Sequence, residues 1–295
     1  MKETTVFFGA TKSLSGVLTE PAGDRAGRPA VLLLNAGLLH RIGPNRMYVT
    51  IARRLAAAGF PVLRFDFSGL GESEPRRDDL TIEQSTLFEG CEAMDFLAAS
   101  GVADGFVPMG LCAGAENAQR IAGHDPRVVG AVLIDGYAYR TLGFYVRHLG
   151  RRVLSGRTWR NFFTGQIAWR KALRVLPTGD EAPPGGGHAG GLNFVRVFPP
   201  KTACHAGLQA LLARNVDLFL VYTGGGMEDY YNYPNQFGDA FPELRNHPRI
   251  RVKFIGSADH TFTLMSDQEL LISAIDDWAR TVLADSSDLP QRAVS

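Results

Sequence analysis

A cysteine between two glycines, Gly110-Leu111-Cys112-Ala113-Gly114, separates the apolar run Phe106-Val107-Pro108-Met109 from the helix-like run Ala115 to Ala122. A strand that turns directly into a helix passes its own backbone at close range. A Cβ two residues before or after the turning residue would then collide with it. Gly110 and Gly114 remove both obstacles, and Ala113 keeps the next position small. The pattern predicts strand, sharp turn and helix, with Cys112 at the helix N-terminus, where the positive end of the dipole favours thiolate over thiol. G-x-C-x-G has cysteine where a nucleophile elbow, G-x-S-x-G, has serine. The other reading of such a residue is a small buried hydrophobe; the glycines and the following helix favour the nucleophile.

Around this turn, strand-like and helix-like runs alternate. Thr5 to Gly9 and Leu14 to Thr19 read as a hairpin around Thr11-Lys12-Ser13, and Ala30 to Asn35 as a central strand covered on both faces. A helix from Met47 to Ala58 ends at Gly59, and the strand Pro61 to Asp66 leads into Ser68-Gly69-Leu70-Gly71-Glu72-Ser73. Next come a helix from Ile82 to Ala99, the elbow, and the strand Val128 to Ile134. Further on lie a helix Ala203 to Ala213, the strand Leu218 to Thr223, a helix Asn235 to Glu243, the strand Ile250 to Ile255 and a helix Leu264 to Leu283. Such alternation predicts an α/β fold with a mostly parallel central sheet of about eight strands and helices on both faces. Asp285 to Ser295 reads as a frayed polar tail.

Regularity breaks between Tyr139 and Pro200. The segment 139–201 carries eleven basic residues, among them Arg147, Arg160 and Lys171, against only Asp180 and Glu181, interleaved with Phe144, Tyr145, Trp159, Phe162, Phe163 and Trp169. It divides the chain into a core of 1–138 and 202–295 and an inserted cap. Two readings stay open: a helical cap with solvated arginines, or a lid that shapes an acyl pocket and attracts an anionic partner.

Composition narrows the function classes. With 31 Lys+Arg against 30 Asp+Glu the formal charge is +1, and the basic excess is confined to the insert, which argues against nucleic-acid binding. No run approaches the roughly 20 apolar residues of a membrane span, and Met1 to Thr5 lacks a signal-peptide core, so a cytoplasmic protein is expected. Cys91, Cys112 and Cys204 are too few and scattered for a disulfide framework or a zinc site. No cofactor or metal is expected, since Gly69 and Gly71 belong to no P-loop or dinucleotide fingerprint.

The last strand runs into Gly256-Ser257-Ala258-Asp259-His260-Thr261-Phe262, and the strand before it into Gly226-Met227-Glu228-Asp229. The order nucleophile, acid, histidine resembles the α/β-hydrolase fold over nearly the whole chain outside the insert. Asn35-Ala36-Gly37-Leu38-Leu39-His40-Arg41, with Arg64 to Ser73, looks most like the serine aminopeptidase-like group and, closer still, the hydrolases of exosortase gene clusters. The resemblance implies Cys112 as nucleophile, His260 as general base and a carboxylate past the penultimate strand, at Glu228 or Asp229, with Glu228 preferred. It also implies an oxyanion hole from the amides of Ala113 and Leu38, with Gly37 allowing close approach. His40 and Arg41 lie just beyond, either to bind substrate or to brace the turn. Asp217 precedes its strand, at the wrong end of the sheet for catalysis. Cys204-His205 are helix neighbours that do not face each other, and Cys91 reads as packing.

Sulfur in place of oxygen makes the covalent intermediate a thioester, more reactive toward amines and thiols than toward water. The expected function is cysteine-dependent acyl transfer or thioester cleavage in a biosynthetic pathway, on a small-molecule acyl substrate. An acidic acyl carrier protein or a coenzyme A thioester would dock at the basic cap. An ester or lactone hydrolase with the same residues is the first alternative, a non-catalytic binding scaffold the second.

Overall fold

Successive residues of the strand Ala30–Leu34 (β3) point to opposite faces of the sheet. Ala30, Leu32 and Leu34 enter one apolar core, Val31 and Leu33 the other, and all five are buried. At about 2 kcal/mol for each large aliphatic side chain removed from water, a strand of this kind is stable only between two covered faces. The computed structural model describes residues 1–23, 27–153, 187–189, 192–194, 198–225 and 230–283.

Among these residues eight strands form the main sheet, in the order β1 (Lys2–Phe8), β2 (Leu14–Glu20), β4 (Val62–Phe65), β3, β5 (Phe106–Leu111), β6 (Gly130–Ile134), β9 (Asp217–Gly225) and β10 (Ile250–Asp259). The β1–β2 and β2–β4 pairs are antiparallel and the rest parallel. Helices α1 (Met47–Ala57) and α7 (Met265–Trp278) cover one face through Ile51, Leu55, Ile272 and Trp278. Helices α2 (Ile82–Ala99), α3 (Ala113–His124) and α5 (Lys201–Ala213) cover the other through Met94, Ile121 and Leu208. The expected α/β class, strand number and helices on both faces are those observed. No helix of the described residues is long and apolar enough to cross a membrane.

Several boundaries differ from the sequence reading. Helix α3 starts at Ala113 rather than Ala115, leaving Cys112 as its N-cap. The helix expected over Asn235 to Glu243 is a short α6 (Gln236–Ala240) followed by a separate 3-10 turn, Pro242–Leu244. Pro242 has no amide to continue the ladder and pushes the residue before it out of the helical region, and Phe241 sits at φ −127° and ψ 75°. Strand β10 runs on through Gly256 to Asp259, with its register against β9 shifting between Ile255 and Asp259. Of the segment 139–201, the described parts include α4 (Leu142–Val153) and a small antiparallel pair, β7 (Gly187–Ala189) with β8 (Leu192–Phe194). Residues 154–186, with most of the expected cap, lie outside the described residues, as do Glu228, Asp229 and the tail from 284.

Candidate active site

Every parallel strand ends at the same edge of the sheet, so the loops after β3, β4, β5, β6, β9 and β10 converge there. At the end of β5 the backbone turns through Cys112 at φ 57° and ψ −117°. A Cβ on Gly110 would lie 2.2 Å from the carbonyl carbon of Gly114, and one on Gly114 would lie 2.8 Å from the backbone oxygens of Leu34 and Asn35. Both glycines are thus required by backbone and not by side chains that could move. Gly110→Ala is expected to yield insoluble or unfolded protein, checked by circular dichroism; a folded variant would show that the turn can open.

His260 follows directly on β10. Its Nδ1 donates to Asp135 Oδ2 at 2.8 Å, and the ring shares a hydrogen bond with the Cys112 thiol. Asp135 is the first residue after β6, fully buried, with a left-handed φ of 47° that aspartate tolerates better than most residues. Its amide donates to Val221 O at 2.8 Å, pinning the turn to β9. Its carboxylate accepts the Thr223 amide at 2.8 Å on Oδ1 and the Thr223 hydroxyl at 2.7 Å on Oδ2. Neither Asp135 nor Thr223 was singled out from sequence. The available signal was an acid directly after the strand that follows the elbow helix, at the sheet edge where Cys112 lies. Thr223→Val keeps the side-chain shape and removes one charge-assisted bond, worth about 1.5–3 kcal/mol. It is expected to lower the unfolding free energy by that order in urea titration; an unchanged midpoint would show the hydroxyl to be dispensable.

Burial by itself would lower the pKa of His260. The hydrogen bonds to Asp135 and Cys112, and the negative charge of both groups, outweigh burial and push it up to about 10. A raised pKa keeps the ring protonated through neutral pH and releases the proton only as the pH passes about 10. In Cys112→Ala the thiol's share of that stabilisation is gone. The His260 ring is then expected to titrate at lower pH, followed by NMR of its carbon-bound protons; an unshifted titration would show that the two residues do not interact.

The remaining site residues fall as follows. Ala113 opens α3, and its amide lies in the first turn, where no intrahelical carbonyl is available. Leu38 is exposed on the loop after β3. Gly37 has φ 59°, and an added Cβ there would meet nothing within 4 Å, so glycine serves the left-handed turn and not a close approach. His40 is exposed, whereas the Arg41 guanidinium engages Asp66 and Glu72, and its amide donates to Asp66 Oδ1 at 2.5 Å. Asn35 joins the same network, donating to Asp66 Oδ1 at 3.0 Å and to Leu39 O at 2.8 Å. Arg41 is therefore placed as a brace of the loop that carries Leu38. Gly71 makes room for Asp66: a Cβ there would sit 2.2 Å from Asp66 Oδ2.

Asp259 turns away from His260 and accepts from the Thr261 amide at 2.9 Å and the Thr263 amide at 3.2 Å, shaping the histidine loop. Asp217 pairs with Arg249 at the far end of the sheet. Burial pushes the Cys204 thiol up. Burial, with the charges of Asp125 and Asp95, raises Cys91 to about 11.

No protein-family model matches this sequence, nor does any curated protein sequence. Solved structures do match it over almost its whole length. The esterase domain of a Rhodothermus marinus protein is 18% identical with a TM-score of 0.54, covering 95% of this chain and 97% of that one. A protein of unknown function from Agrobacterium tumefaciens, described as an α/β hydrolase, is 12% identical with a TM-score of 0.55, covering 96% and 98%. An α/β serine hydrolase without a lid from Xanthomonas campestris is 14% identical with a TM-score of 0.54, covering 96% of each chain. Sheet order, elbow and these likenesses agree: the chain has the α/β-hydrolase fold.

Proposed function

We propose that this protein is a cysteine-dependent acyl-transfer enzyme acting on an ester or thioester carbonyl through a Cys112 acyl-enzyme, with Asp135 orienting His260. The observation that carries this reading is the unbroken contact from Cys112 to His260 to Asp135 at the C-terminal edge of the sheet. Sulfur attacks the carbonyl carbon, and the bond to the leaving group breaks as His260 gives that group its proton. An acceptor then passes its proton to His260 as it bonds to the carbonyl carbon and the C–S bond breaks. The amides of Ala113 and Leu38 serve as the oxyanion donors, with the start of α3 adding its positive dipole end.

Transfer to an amine or thiol is favoured over hydrolysis by the thioester chemistry of the intermediate. Acyl carrier protein or coenzyme A thioesters remain the proposed donors, drawn by the basic segment 139–201. Simple ester hydrolysis is the second reading, supported by the likeness to the Rhodothermus esterase domain.

The deciding experiment is intact-protein mass spectrometry after mixing with acyl thioesters and activated esters, with and without an amine. An adduct on Cys112 that amine discharges faster than water supports transfer. Rapid turnover to free acid without acceptor supports the hydrolase. Absence of both adduct and turnover, together with equal alkylation of Cys91, Cys112 and Cys204, would leave a binding scaffold.

A further inference from the structure

Between the loop after β3 and helix α1 the chain runs Gly43-Pro44-Asn45-Arg46, and both Asn45 and Arg46 take left-handed φ, 48° and 65°. Asparagine tolerates that region, but arginine has no such allowance, so the conformation persists because its surroundings hold it. Two long-range contacts leave this short segment. Asn45 Nδ2 donates to Thr261 O at 3.0 Å, on the residue directly after His260. The hydroxyl of Tyr48, a fully buried residue, accepts from the Leu111 amide at 3.0 Å, on the residue directly before Cys112.

The second contact lies at the end of the β3–β5 ladder. The Cys112 amide bonds to Ile134 O on β6, so by alternation the Leu111 amide faces the β3 side. There the ladder closes on the last β3 residue, Leu34, which is paired with Gly110, and the Tyr48 hydroxyl adds a contact to the Leu111 amide where the strand bends into the elbow. Gly43 makes this placement feasible, since a Cβ there would lie 2.6 Å from Tyr48 Cγ. Burial first, and the charge at Cys112 in addition, raise the Tyr48 pKa, so the phenol stays neutral and lies within electrostatic reach of the sulfur.

We propose that the segment Gly43–Tyr48 is a brace that positions both reacting groups, Tyr48 holding the Cys112 turn through Leu111 and Asn45 holding the His260 loop through Thr261. Neither residue touches the reacting carbonyl; both act through a neighbour of a residue that does. The proposal rests on the reading that Cys112 and His260 are the reacting pair.

The test is the rate of alkylation of Cys112 by iodoacetamide across pH, resolved by peptide mass spectrometry, in the wild type, Tyr48→Phe and Asn45→Gly, with thermal melts alongside. Glycine adopts the Asn45 backbone without strain, so that variant loses the contact and keeps the fold even if Tyr48→Phe folds poorly. Both variants are expected to alkylate about 10-fold to 100-fold more slowly at pH 7, the scale that a small misplacement of a reacting group costs. The pH midpoint is expected to move upward as the thiol loses its alignment with His260. A lower melting temperature with an unchanged pH midpoint would overturn the brace and leave only a packing role. If Cys112 in the wild type reacts no faster than Cys91 and Cys204, the failure lies instead with the catalytic reading on which the brace rests.

Discussion

Replacing Cys112 with alanine is expected to abolish the acyl adduct and lower kcat/KM on the order of 10⁶-fold, the loss seen when the nucleophile of a concerted set is removed. The substitution isolates chemistry from folding. Cys112 sits at φ 57°, a conformation that strains alanine and cysteine alike because both carry a Cβ, and its side chain is only partly buried. Little packing is lost, and the turn depends on Gly110 and Gly114. Intact mass after exposure to an acyl thioester is the measurement. An adduct that persists in the variant would place the nucleophile elsewhere, and the raised pKa values of Cys91 and Cys204 make both poor candidates at neutral pH.

Asp135→Asn is expected to have the second-largest effect, about 10⁴-fold in kcat, as when a triad carboxylate becomes an amide and the imidazole takes the wrong tautomer. The buried geometry sharpens this. Asparagine can offer one oxygen to the Thr223 amide, but its NH₂ must then face the Thr223 hydroxyl and the His260 Nδ1–H, both of which now donate to the carboxylate. The His260 pKa should fall as well, since its contact with Asp135 is the strongest of the interactions raising it. Glu228→Gln and Asp229→Asn, made in parallel, should leave kcat/KM close to wild type. A large loss in either, with Asp135→Asn active, would return the acid to the loop after β9.

The acid shows how legibility divides. The turn at Cys112 could be read because its constraints are local: a turn this sharp needs glycine at fixed offsets, and offsets are written in one dimension. The histidine could be read because it follows the last strand of a regular alternation. The carboxylate in contact with that histidine is 125 residues away along the chain. Its partner Thr223 is 88 residues from Asp135 and had nothing to mark it beyond its place at the end of a strand. A Cβ on Gly224 would lie 2.4 Å from Gly256 O, so β9 and β10 approach closely there, another contact set by strands distant in sequence. The proline-broken helix at Pro242 was legible in principle, because a proline seven residues into a helical pattern is itself a boundary signal.

Local periodicity and turn chemistry alone determined the α/β class, the two-sided burial of β3, and the position of Cys112 at a strained strand-to-helix turn. These depend on hydrophobic alternation and on where a Cβ fits, and both are properties of neighbours in sequence. Only the tertiary structure decided which carboxylate meets His260, which residue fastens that carboxylate, and that Tyr48 reaches the Leu111 amide beside the elbow. Those outcomes depend on which strands lie side by side and where each ends, and pairing across the sheet is set by the packing of the whole chain against itself.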